Sequence, residues 1–447
     1  MKTIPEKSNK LPRRRFVLQS AAALAAGSLF PLAAVGQDSD SEKPALLGGA
    51  KSVRSGSRQG KRWGEPEKKR LNELIDQDTL FYWKGPQTTQ FIDGFRRVCP
   101  LKQVMTCSSG IAALHMAVGA AGIAPGDEVI TSPITDIGTV IGVIYQLGVP
   151  VFADLMPSTY NLNPEAVERL VTPRTRAIIA VHLCGNPCDM TALRAIADRH
   201  KLILIEDCAQ AWGSRHQGEP IGTLGHIACF TLQNSKHITC GDGGVVASSD
   251  DRFGPLLQRF GDKGYDRIKG GLCEIFAPNY RMTEAQAAIA TAQLDRLEAI
   301  VERRSRLGDL LTSGIGDVPG VTPHQVRAGD RCNYWFYFFR MDPAKLRCTR
   351  DEFVKALAAE GATASAGYIA VPLHRNPVFQ KHGFFAGRWP IRESGLTGMD
   401  YTQVQTPEAE AILRTGIRIG LHEFMKDEEM VDTAKAIRKV ARHYRVG

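Results

Sequence analysis

Short apolar runs alternate with amphipathic stretches along the chain from about residue 71. The runs include PVFAD, RAIIAVH and LILIE, and stretches such as IAALHMAVGAAG and MTALRAIADRH lie between them. Buried strands that alternate with helices of about ten to fifteen residues are typical of βαβ units around a mainly parallel sheet. The pattern therefore predicts an α/β domain, and ligands of such domains bind at the carboxyl ends of the strands.

A longer helical pattern follows in TEAQAAIATAQLDRLEAIVERRSRLGDLL. It predicts one helix whose core face carries Leu294, Leu297 and Val301. Beyond it, YWFYFFRM predicts a strand, and RDEFVKALAAEG and KDEEMVDTAKAIRKVARHY predict helices. We therefore expect a large domain over residues 71–311 and a smaller C-terminal α+β domain over residues 312–447.

The first 36 residues differ from the rest of the chain. Arg13 and Arg14 precede an Ala- and Leu-rich run that ends in small residues before Gln37. This order is typical of a signal peptide, and the arginine pair is typical of the twin-arginine route. We predict a signal peptide over residues 1–36 and an exported, periplasmic protein. An uncleaved N-terminal anchor is one alternative, since the run is only just near the ~20 residues that span a bilayer, and an ordinary amphipathic helix is the other.

Residues 37–70 are predicted to form a basic linker or N-terminal arm. The whole chain has a net charge of +9, and the segment Gly49–Arg70 alone holds eight Lys or Arg against two Glu. No zinc-finger spacing or RNA-type aromatic motif accompanies these charges, so we interpret the segment as solvated surface and expect no nucleic-acid partner. The hydrophobic share of 43% and the mean hydropathy of −0.18 exclude a polytopic membrane protein and a mostly disordered one.

The ten cysteines show no spacing that defines a disulfide framework. Three of them lie in or beside apolar strand-like runs, where cysteine acts as a small hydrophobic residue, namely Cys107, Cys208 and Cys229. His182, Cys184 and Cys188 in VHLCGNPCDM stand close together, but no second pair of ligands stands at a recognisable spacing. We therefore predict no metal site.

Three loops that follow strands carry groups suited to one cofactor. Ser109 and Gly110 in CSSGIAALH open a helix whose free amides suit a phosphate. Asp207 ends LILIED, where burial disfavours a lone carboxylate. Lys236 lies 29 residues further on, in FTLQNSKHITCGDGG. Each motif alone also fits a helix cap, a core salt bridge or a solvated charge, but a Schiff-base amine, a carboxylate for a ring nitrogen and a phosphate site together predict pyridoxal phosphate.

The chain resembles the DegT/DnrJ/StrS-type aminotransferases, which are pyridoxal-phosphate enzymes of the aspartate-aminotransferase fold that act on keto sugars and keto cyclitols. The similarity extends from about Pro44 to the C-terminus. It is carried by SSGIAALHMAVGAAGIAPGDEVI, IEDCAQAWGS, FTLQNSKHITCGDGGVV and NYRMTEAQAAIATAQLDRL. The resemblance implies fold type I with a mainly parallel sheet of the seven-stranded type, and it implies glutamate or glutamine as the amino donor.

The resemblance also implies a role for each matching position. Lys236 would form the Schiff base, and Asp207 would pair with the ring nitrogen, so these two are the expected catalytic residues. The other expected cofactor contacts are Gln210 at the ring or its 3-hydroxyl, Ser109, Gly110, the Ile111 amide and Thr231 at the phosphate, and Asn279 from across a subunit interface. A homodimer with shared active sites follows.

Two positions depart from the family pattern. Ile111 stands where the family usually has threonine, so the backbone amide is kept and a hydroxyl is lost. Asp136 stands where relatives usually have a Phe or Trp stacked on the cofactor ring. Either Tyr82, Trp83 or Trp212 covers the ring, or Asp136 contacts the substrate. Capping of the following helix by Asp136 is an equal alternative.

Lys236 also bears on the type of activity. A sugar dehydratase of the same fold has histidine in place of the Schiff-base lysine, so a lysine followed by His237 favours transamination. A non-catalytic exported binding or regulatory protein is a further alternative, because nucleotide-linked keto sugars and glutamate are expected inside the cell.

Overall fold

A seven-stranded sheet is the central element of the computed structural model, which describes residues 43–54 and 56–446. The strands of the larger part of the chain are β1 Gln103–Cys107, β2 Glu128–Thr131, β3 Val149–Phe152, β4 Thr175–Val181, β5 Ile203–Asp207, the short pair β6 Arg215–His216 and β7 Glu219–Pro220, β8 Ile227–Thr231 and β9 Gly244–Ser248. The sheet order is β1-β9-β8-β5-β4-β2-β3. Only β9 runs antiparallel to its neighbours, so the carboxyl ends of β1, β5 and β8 lie at the same edge.

Helices alternate with these strands along the chain and pack against the sheet or against one another. They are α1 Glu65–Ile75, α2 Pro86–Val98, α3 Gly110–Ala120, α4 Gly138–Tyr145, α5 Pro164–Leu170, α6 Met190–His200, α7 Gly254–Gly261, α8 Glu284–Leu294 and α9 Leu297–Ile315. Every residue of β2, β3, β8 and β9 is buried. Burial on both faces explains why these strands are apolar runs rather than alternating ones.

The C-terminal part of the chain forms a second, smaller α+β unit. Its sheet contains β10 Val321–Pro323, β11 Tyr337–Met341, β12 Ala364–Ala366 and β13 Gly416–Ile419, in the order β10-β11-β13-β12 with antiparallel pairing. Its helices are α10 Arg350–Ala359, α11 Pro377–Gln380, α12 Pro390–Glu393, α13 Pro407–Thr415 and α14 Asp427–Tyr444. Residue 312, the expected start of this domain, lies inside α9.

The long helix predicted after Thr283 is two helices. α8 ends at Leu294 and α9 begins at Leu297, so the prediction of one continuous helix is wrong. The side chain of Arg296, at the break, donates hydrogen bonds to the backbone oxygen of Arg62 and to Glu67 of α1. The predicted core face is confirmed nonetheless, because Leu294, Leu297 and Val301 are all buried.

Within residues 43–54 and 56–446, no helix is long and apolar enough to span a bilayer. The predicted signal peptide over residues 1–36 lies outside the described residues. All ten cysteines lie within them and are free thiols, and Cys107, Cys208 and Cys229 are buried as small hydrophobic residues, as expected.

Arg62 ties the segment before α1 to the loop between β8 and β9. Its guanidinium donates hydrogen bonds to the carbonyl oxygens of Asn234 at 2.7 Å, His237 at 2.6 Å and Lys236. Glu423 lies 3.8 Å away. Three carbonyl oxygens and a carboxylate are the polar partners that a guanidinium needs when it leaves water.

The basic segment Gly49–Arg70 is therefore only partly a solvated surface. Six of its basic side chains are exposed, namely Lys51, Arg54, Arg58, Lys61, Lys68 and Lys69. Arg62 is only 8% exposed, and the interpretation of the segment as solvated is wrong for this residue. The number of basic residues in a segment does not show which of them is buried against hydrogen-bond acceptors.

Replacing Arg62 tests the role of this tie. Arg62→Ala leaves three loop carbonyls without their donor, so we expect the free energy of unfolding to fall by about 2–4 kcal/mol in chemical denaturation. Amide hydrogen exchange should speed up across residues 232–240. Arg58→Ala, an exposed neighbour, is the control and should cost less than about 0.5 kcal/mol. Unchanged hydrogen exchange in residues 232–240 of the Arg62→Ala protein would show that Arg62 does not stabilise this loop.

Candidate active site

Lys236 lies on a turn in the loop between β8 and β9. Its amide donates to the Gln233 carbonyl oxygen at 2.9 Å, and the Ser235 amide and hydroxyl both donate to Gln233 Oε1 at 2.7 Å. Lys236 Nζ lies 3.5 Å from the centroid of the Trp335 ring. Trp335 Nε1 in turn donates to the Ser235 carbonyl oxygen at 2.8 Å. The lysine is therefore half-buried against an indole rather than extended into solvent.

The environment of Lys236 changes its acidity. Burial lowers the pKa of the amine to about 8, and the positive charge of Arg418 also lowers it, whereas the charges of Asp207 and Asp136 raise it. An amine with this pKa is neutral in a useful fraction near neutral pH. Lys236 can therefore act both as a nucleophile and as a base.

Asp207 is the last residue of β5 and is 4% exposed. Its Oδ2 accepts a hydrogen bond from the Thr139 hydroxyl at 2.9 Å, and its Oδ1 accepts one from the Ala209 amide at 3.1 Å. Burial raises the pKa of the Asp207 carboxyl, and these two hydrogen bonds and the charge of Lys236 oppose that rise. Thr139, on α4, is a contributor that the sequence analysis missed, because it lies far from Asp207 in the chain.

The start of α3 lies against the end of β8. Ser109 caps the helix, since its hydroxyl oxygen accepts from the Ala112 amide at 3.0 Å. A Cβ atom on Gly110 would lie 2.6 Å from the Cβ of Thr231, so only glycine permits this approach. Within the described part of the chain, the amides of Gly110 and Ile111 have no acceptor. Two free amides and two hydroxyls form the kind of cup that a phosphate occupies at a helix N-terminus.

Gln210 lies in the loop that follows β5, three residues after Asp207. Its Oε1 accepts from the Cys184 amide at 2.7 Å, and its Nε2 donates to the Tyr368 hydroxyl at 3.3 Å. Burial raises the pKa of Tyr368, and so do the charges of Asp136 and Asp207. Tyr368 therefore joins the expected residues as a phenol that accepts a hydrogen bond from Gln210 and senses the charge of both carboxylates, and no motif in the sequence marked it.

Asp136 caps the following helix. Its Oδ1 accepts a hydrogen bond from the Gly138 amide at 2.8 Å, which is the capping alternative. The side chain is exposed, and its charge acts on both Lys236 and Tyr368. Contact between Asp136 and a substrate stays a prediction.

The aromatic side chain nearest to Lys236 is one that the sequence analysis did not propose. Trp212 is fully buried, with ring centroids 4.6 Å from Phe230 and 6.0 Å from Phe95, which leaves it no free face for a cofactor ring. Tyr82 is also buried, and Trp83 packs beside it. Trp335 lies against Lys236 instead, just before β11, in the stretch YWFYFFRM that was predicted only as a strand.

Asn279 lies at the surface of the single chain. Its Oδ1 accepts from Arg281 Nε at 2.7 Å, and its backbone pairs with that of Asp262. The proposed contact of Asn279 with a cofactor in a second subunit therefore stays a prediction.

His182, Glu206 and Cys208 place atoms that could hold a metal within 4.8 Å of one another. Glu206 accepts hydrogen bonds from the amides of Gly222 at 2.9 Å and Leu224 at 2.8 Å, and from His182 Nε2 at 3.3 Å. The fold therefore supplies the polar partners of this buried carboxylate, and we assign the cluster a structural role.

Comparison with known proteins gives consistent matches. The model of the DegT/DnrJ/EryC1/StrS aminotransferase family matches residues 62–438. A putative L-glutamine:3-amino-2,3-dideoxy-scyllo-inosose aminotransferase of Micromonospora echinospora is 34% identical over 384 residues, which cover 83% of this chain and 90% of that protein. The GDP-perosamine synthase of Caulobacter vibrioides is 36% identical over 296 residues, which cover 66% and 79%.

A solved structure extends the comparison to the fold. The crystal structure of DesV from S. venezuelae in complex with a ketimine intermediate matches with a TM-score of 0.73 at 29% identity, over 85% of this chain and 95% of that one. The expected fold type I is confirmed, and the seven-stranded, mostly parallel sheet agrees with it. This protein belongs to the DegT/DnrJ/EryC1/StrS aminotransferase family.

Proposed function

We propose that this protein is a pyridoxal-phosphate-dependent aminotransferase that moves an amino group from glutamate or glutamine to a keto sugar or keto cyclitol. The observation that carries the proposal is the convergence of Lys236, Asp207 and the start of α3 at one edge of the sheet. The names of the relatives, an inosose aminotransferase and a GDP-perosamine synthase, support a cyclitol or a sugar as the acceptor.

The residues present fit pyridoxal phosphate. Its phosphate would be held by the Ser109 and Thr231 hydroxyls and by the free amides of Gly110 and Ile111. The Asp207 carboxylate would hold the ring nitrogen in its protonated form. Gln210 and Tyr368 offer hydrogen bonds near the ring. When bound, the cofactor supplies an electron sink for charge that develops on the carbon next to the transferred nitrogen.

The chain's own contribution to catalysis comes mainly from two side chains. Asp207 is buried and accepts a hydrogen bond from Thr139, and its carboxylate stabilises a positive charge on a group that lies next to it. Lys236, whose pKa is about 8, can accept a proton from the α-carbon of the amino donor and release it within the same site. The presence of this lysine also favours transamination over sugar dehydration.

A homodimer with shared active sites is part of the proposal. Asn279 would reach the cofactor of the partner subunit. Support comes from the loop before it, in which Leu272 and Phe276 are apolar and almost completely exposed in the single chain. An apolar loop beside an implied cross-subunit residue is a surface that a second copy of this chain would cover.

Export by the twin-arginine route is the last part of the proposal. Arg13 and Arg14 and the apolar run after them support it. This route carries folded proteins, which suits a chain that loads a cofactor before it leaves the cytoplasm.

Lys236→Ala tests the reaction. We expect turnover to fall by at least about 10³-fold and the visible absorption of the loaded protein to be lost, because both the covalent attachment and the base are removed. Lys355→Ala, an exposed lysine on α10, is the control and should retain both properties. Retained turnover in Lys236→Ala would exclude the mechanism.

The same variant tests the shared site. Lys236→Ala mixed and refolded with Asn279→Ala should regain up to about a quarter of wild-type activity, because hybrid dimers contain one site with both native residues. Activity no higher than that of the two variants alone would argue against cross-subunit Asn279.

Asp136→Asn separates the effect of the Asp136 charge on Lys236 from the capping of α4 by this side chain. Asparagine keeps an oxygen for the Gly138 amide but removes the negative charge that raises the pKa of Lys236, so this pKa should fall below its wild-type value of about 8. A lower pKa makes the amine neutral at lower pH. The midpoint of the pH dependence of cofactor loading, followed by visible absorption, should therefore shift down. Asp251→Asn, at the exposed surface, should leave the midpoint unchanged, and an upward shift in Asp136→Asn would contradict the assignment.

Cell fractionation tests the proposed export to the periplasm. The wild-type protein should appear in the periplasmic fraction, and Arg13→Lys with Arg14→Lys should retain it in the cytoplasm although the charge is conserved. Arg15→Lys is the matched control. Wild-type protein confined to the cytoplasm would reject the export proposal.

A further inference from the structure

The amine of Lys236 is in contact with an aromatic face and not with a polar partner. Its Nζ lies 3.5 Å from the centroid of the Trp335 ring. Within the parts of the chain that the structure describes, no oxygen accepts a hydrogen bond from Nζ and no carboxylate pairs with it. A protonated amine that has lost water needs a compensating interaction, and the negative face of an indole ring supplies one.

A second buried lysine shows the alternative way to hold an amine. Lys439, on α14, donates from Nζ to the carbonyl oxygen of Ala50 at 2.6 Å and pairs with Glu360 at 3.2 Å. A carboxylate at this distance favours the charged form of the amine, which suits a structural contact. An indole face stabilises the charge without such an ion pair. The contrast indicates that the partner of Lys236 suits an amine that loses and regains a proton.

The indole of Trp335 is itself held in place. Its Nε1 donates to the carbonyl oxygen of Ser235, next to the lysine in the chain, at 2.8 Å. The Tyr368 ring lies nearly perpendicular to it, with the ring centroids 5.8 Å apart, and the Trp335 amide donates to the Cys184 carbonyl oxygen at 2.9 Å. The ring is therefore ordered before a positive charge forms on the amine, and no ordering cost is added at that moment.

Trp335 is an uncharged part of the environment of the amine. Asp207 at the end of β5 and Asp136 before α4 raise the pKa of Lys236, and Arg418 on β13 lowers it. His237, the next residue, is fully buried, and burial lowers its pKa well below its ordinary value. Replacing Trp335 therefore changes no charge around Lys236, and an effect on the amine can be assigned to the ring.

We propose that the ring of Trp335 binds the ammonium form of Lys236 during proton transfer, which makes Trp335 a positioning residue of the reaction. This inference rests on the proposed aminotransferase function. When Lys236 takes the α-proton of the amino donor, the substrate C–H bond breaks, its electrons stay with the substrate, and an N–H bond forms at Nζ. The ring stabilises the positive charge that Nζ gains, and no hydrogen bond has to break when the proton is passed on.

Exclusion of water is the competing role for this ring. A ring that only fills space keeps the amine dry, so its removal would raise the pKa of Lys236 toward the ordinary value. A ring that stabilises the ammonium form has the opposite effect, so weakening its negative face would lower this pKa. The sign of the change in pKa therefore distinguishes the two roles.

Fluorinated tryptophans at position 335 measure this sign. Site-specific replacement of Trp335 by mono-, di- and trifluorotryptophan weakens the negative face of the ring and nearly preserves its shape. The pKa of Lys236 is obtained by trace acetylation of the cofactor-free full chain over a range of pH, with the labelled peptide quantified by mass spectrometry. We expect this pKa to fall stepwise with the number of fluorines, by about 0.5 to 1.5 in total.

Matched controls accompany this titration. Trifluorotryptophan at the exposed Trp63 should leave the pKa of Lys236 unchanged, and the exposed Lys355 should keep its own pKa in every protein. Trp335→Phe keeps an aromatic face and should lie between the wild type and the trifluorinated protein.

The donor half-reaction links the contact to proton transfer. The loaded protein is mixed with L-glutamate or L-glutamine without acceptor, and the loss of visible absorption gives a limiting rate and an apparent donor affinity. Trifluorotryptophan at position 335 makes Lys236 a weaker base, so we expect the limiting rate to fall by about 2- to 10-fold. The apparent donor affinity should stay unchanged.

The outcomes separate this inference from the function on which it rests. An unchanged or higher pKa of Lys236 in the fluorinated proteins would overturn the inference and would leave the ring the role of excluding water. A lower pKa with an unchanged limiting rate would also overturn it. If the wild-type protein loses no absorption with either donor, the proposed function fails, and the role of Trp335 in proton transfer fails with it.

Discussion

Removal of the Lys236 amine from water is the constraint on which the rest of the site depends. Burial lowers the pKa of this amine to about 8, and burial also raises the pKa of Asp207. Burying the charged form of either group by itself therefore costs free energy. The chain offsets these costs through specific contacts. Arg62 binds the backbone of the lysine loop, Trp335 supports the amine, and Thr139 donates to the aspartate. Loss of the Thr139 contact would raise the pKa of Asp207, and loss of the negative charge of Asp207 would lower the pKa of Lys236 further.

Two glycines permit the close packing at the carboxyl edge of the sheet. A Cβ atom on Gly244 would lie 2.3 Å from the carbonyl oxygen of Ser109, and one on Gly110 would lie 2.6 Å from the Cβ of Thr231. These glycines bring the start of α3 into contact with β8 and β9, so the free amides of the helix and the lysine loop belong to one small volume. Side chains at either position would separate the phosphate cup from the amine.

The sequence predicted the half of the site that local motifs encode. Asp207 ends a strand, Ser109, Gly110 and Lys236 each follow one within a few residues, and parallel strands bring such positions together at one edge. Arg62, Thr139 and Trp335 could not be found in this way, because each acts through a partner that is distant in sequence. The same limit applies to the fold. The alternation of strands and helices predicted the α/β sheet, but not the break between α8 and α9, where Arg296 donates hydrogen bonds to the Arg62 backbone and to Glu67, both distant in sequence.

The two sheets divide the chemistry of the site between them. The large sheet contributes the groups suited to the cofactor, at the ends of β1, β5 and β8. The small sheet and its loops contribute Trp335, which contacts the amine, and Tyr368 and Arg418, which lie beside Trp335. None of these three groups is needed to hold a phosphate or a ring nitrogen. Changes among them can therefore alter which donor or acceptor is bound while the proton-transfer pair, Lys236 and Asp207, stays intact.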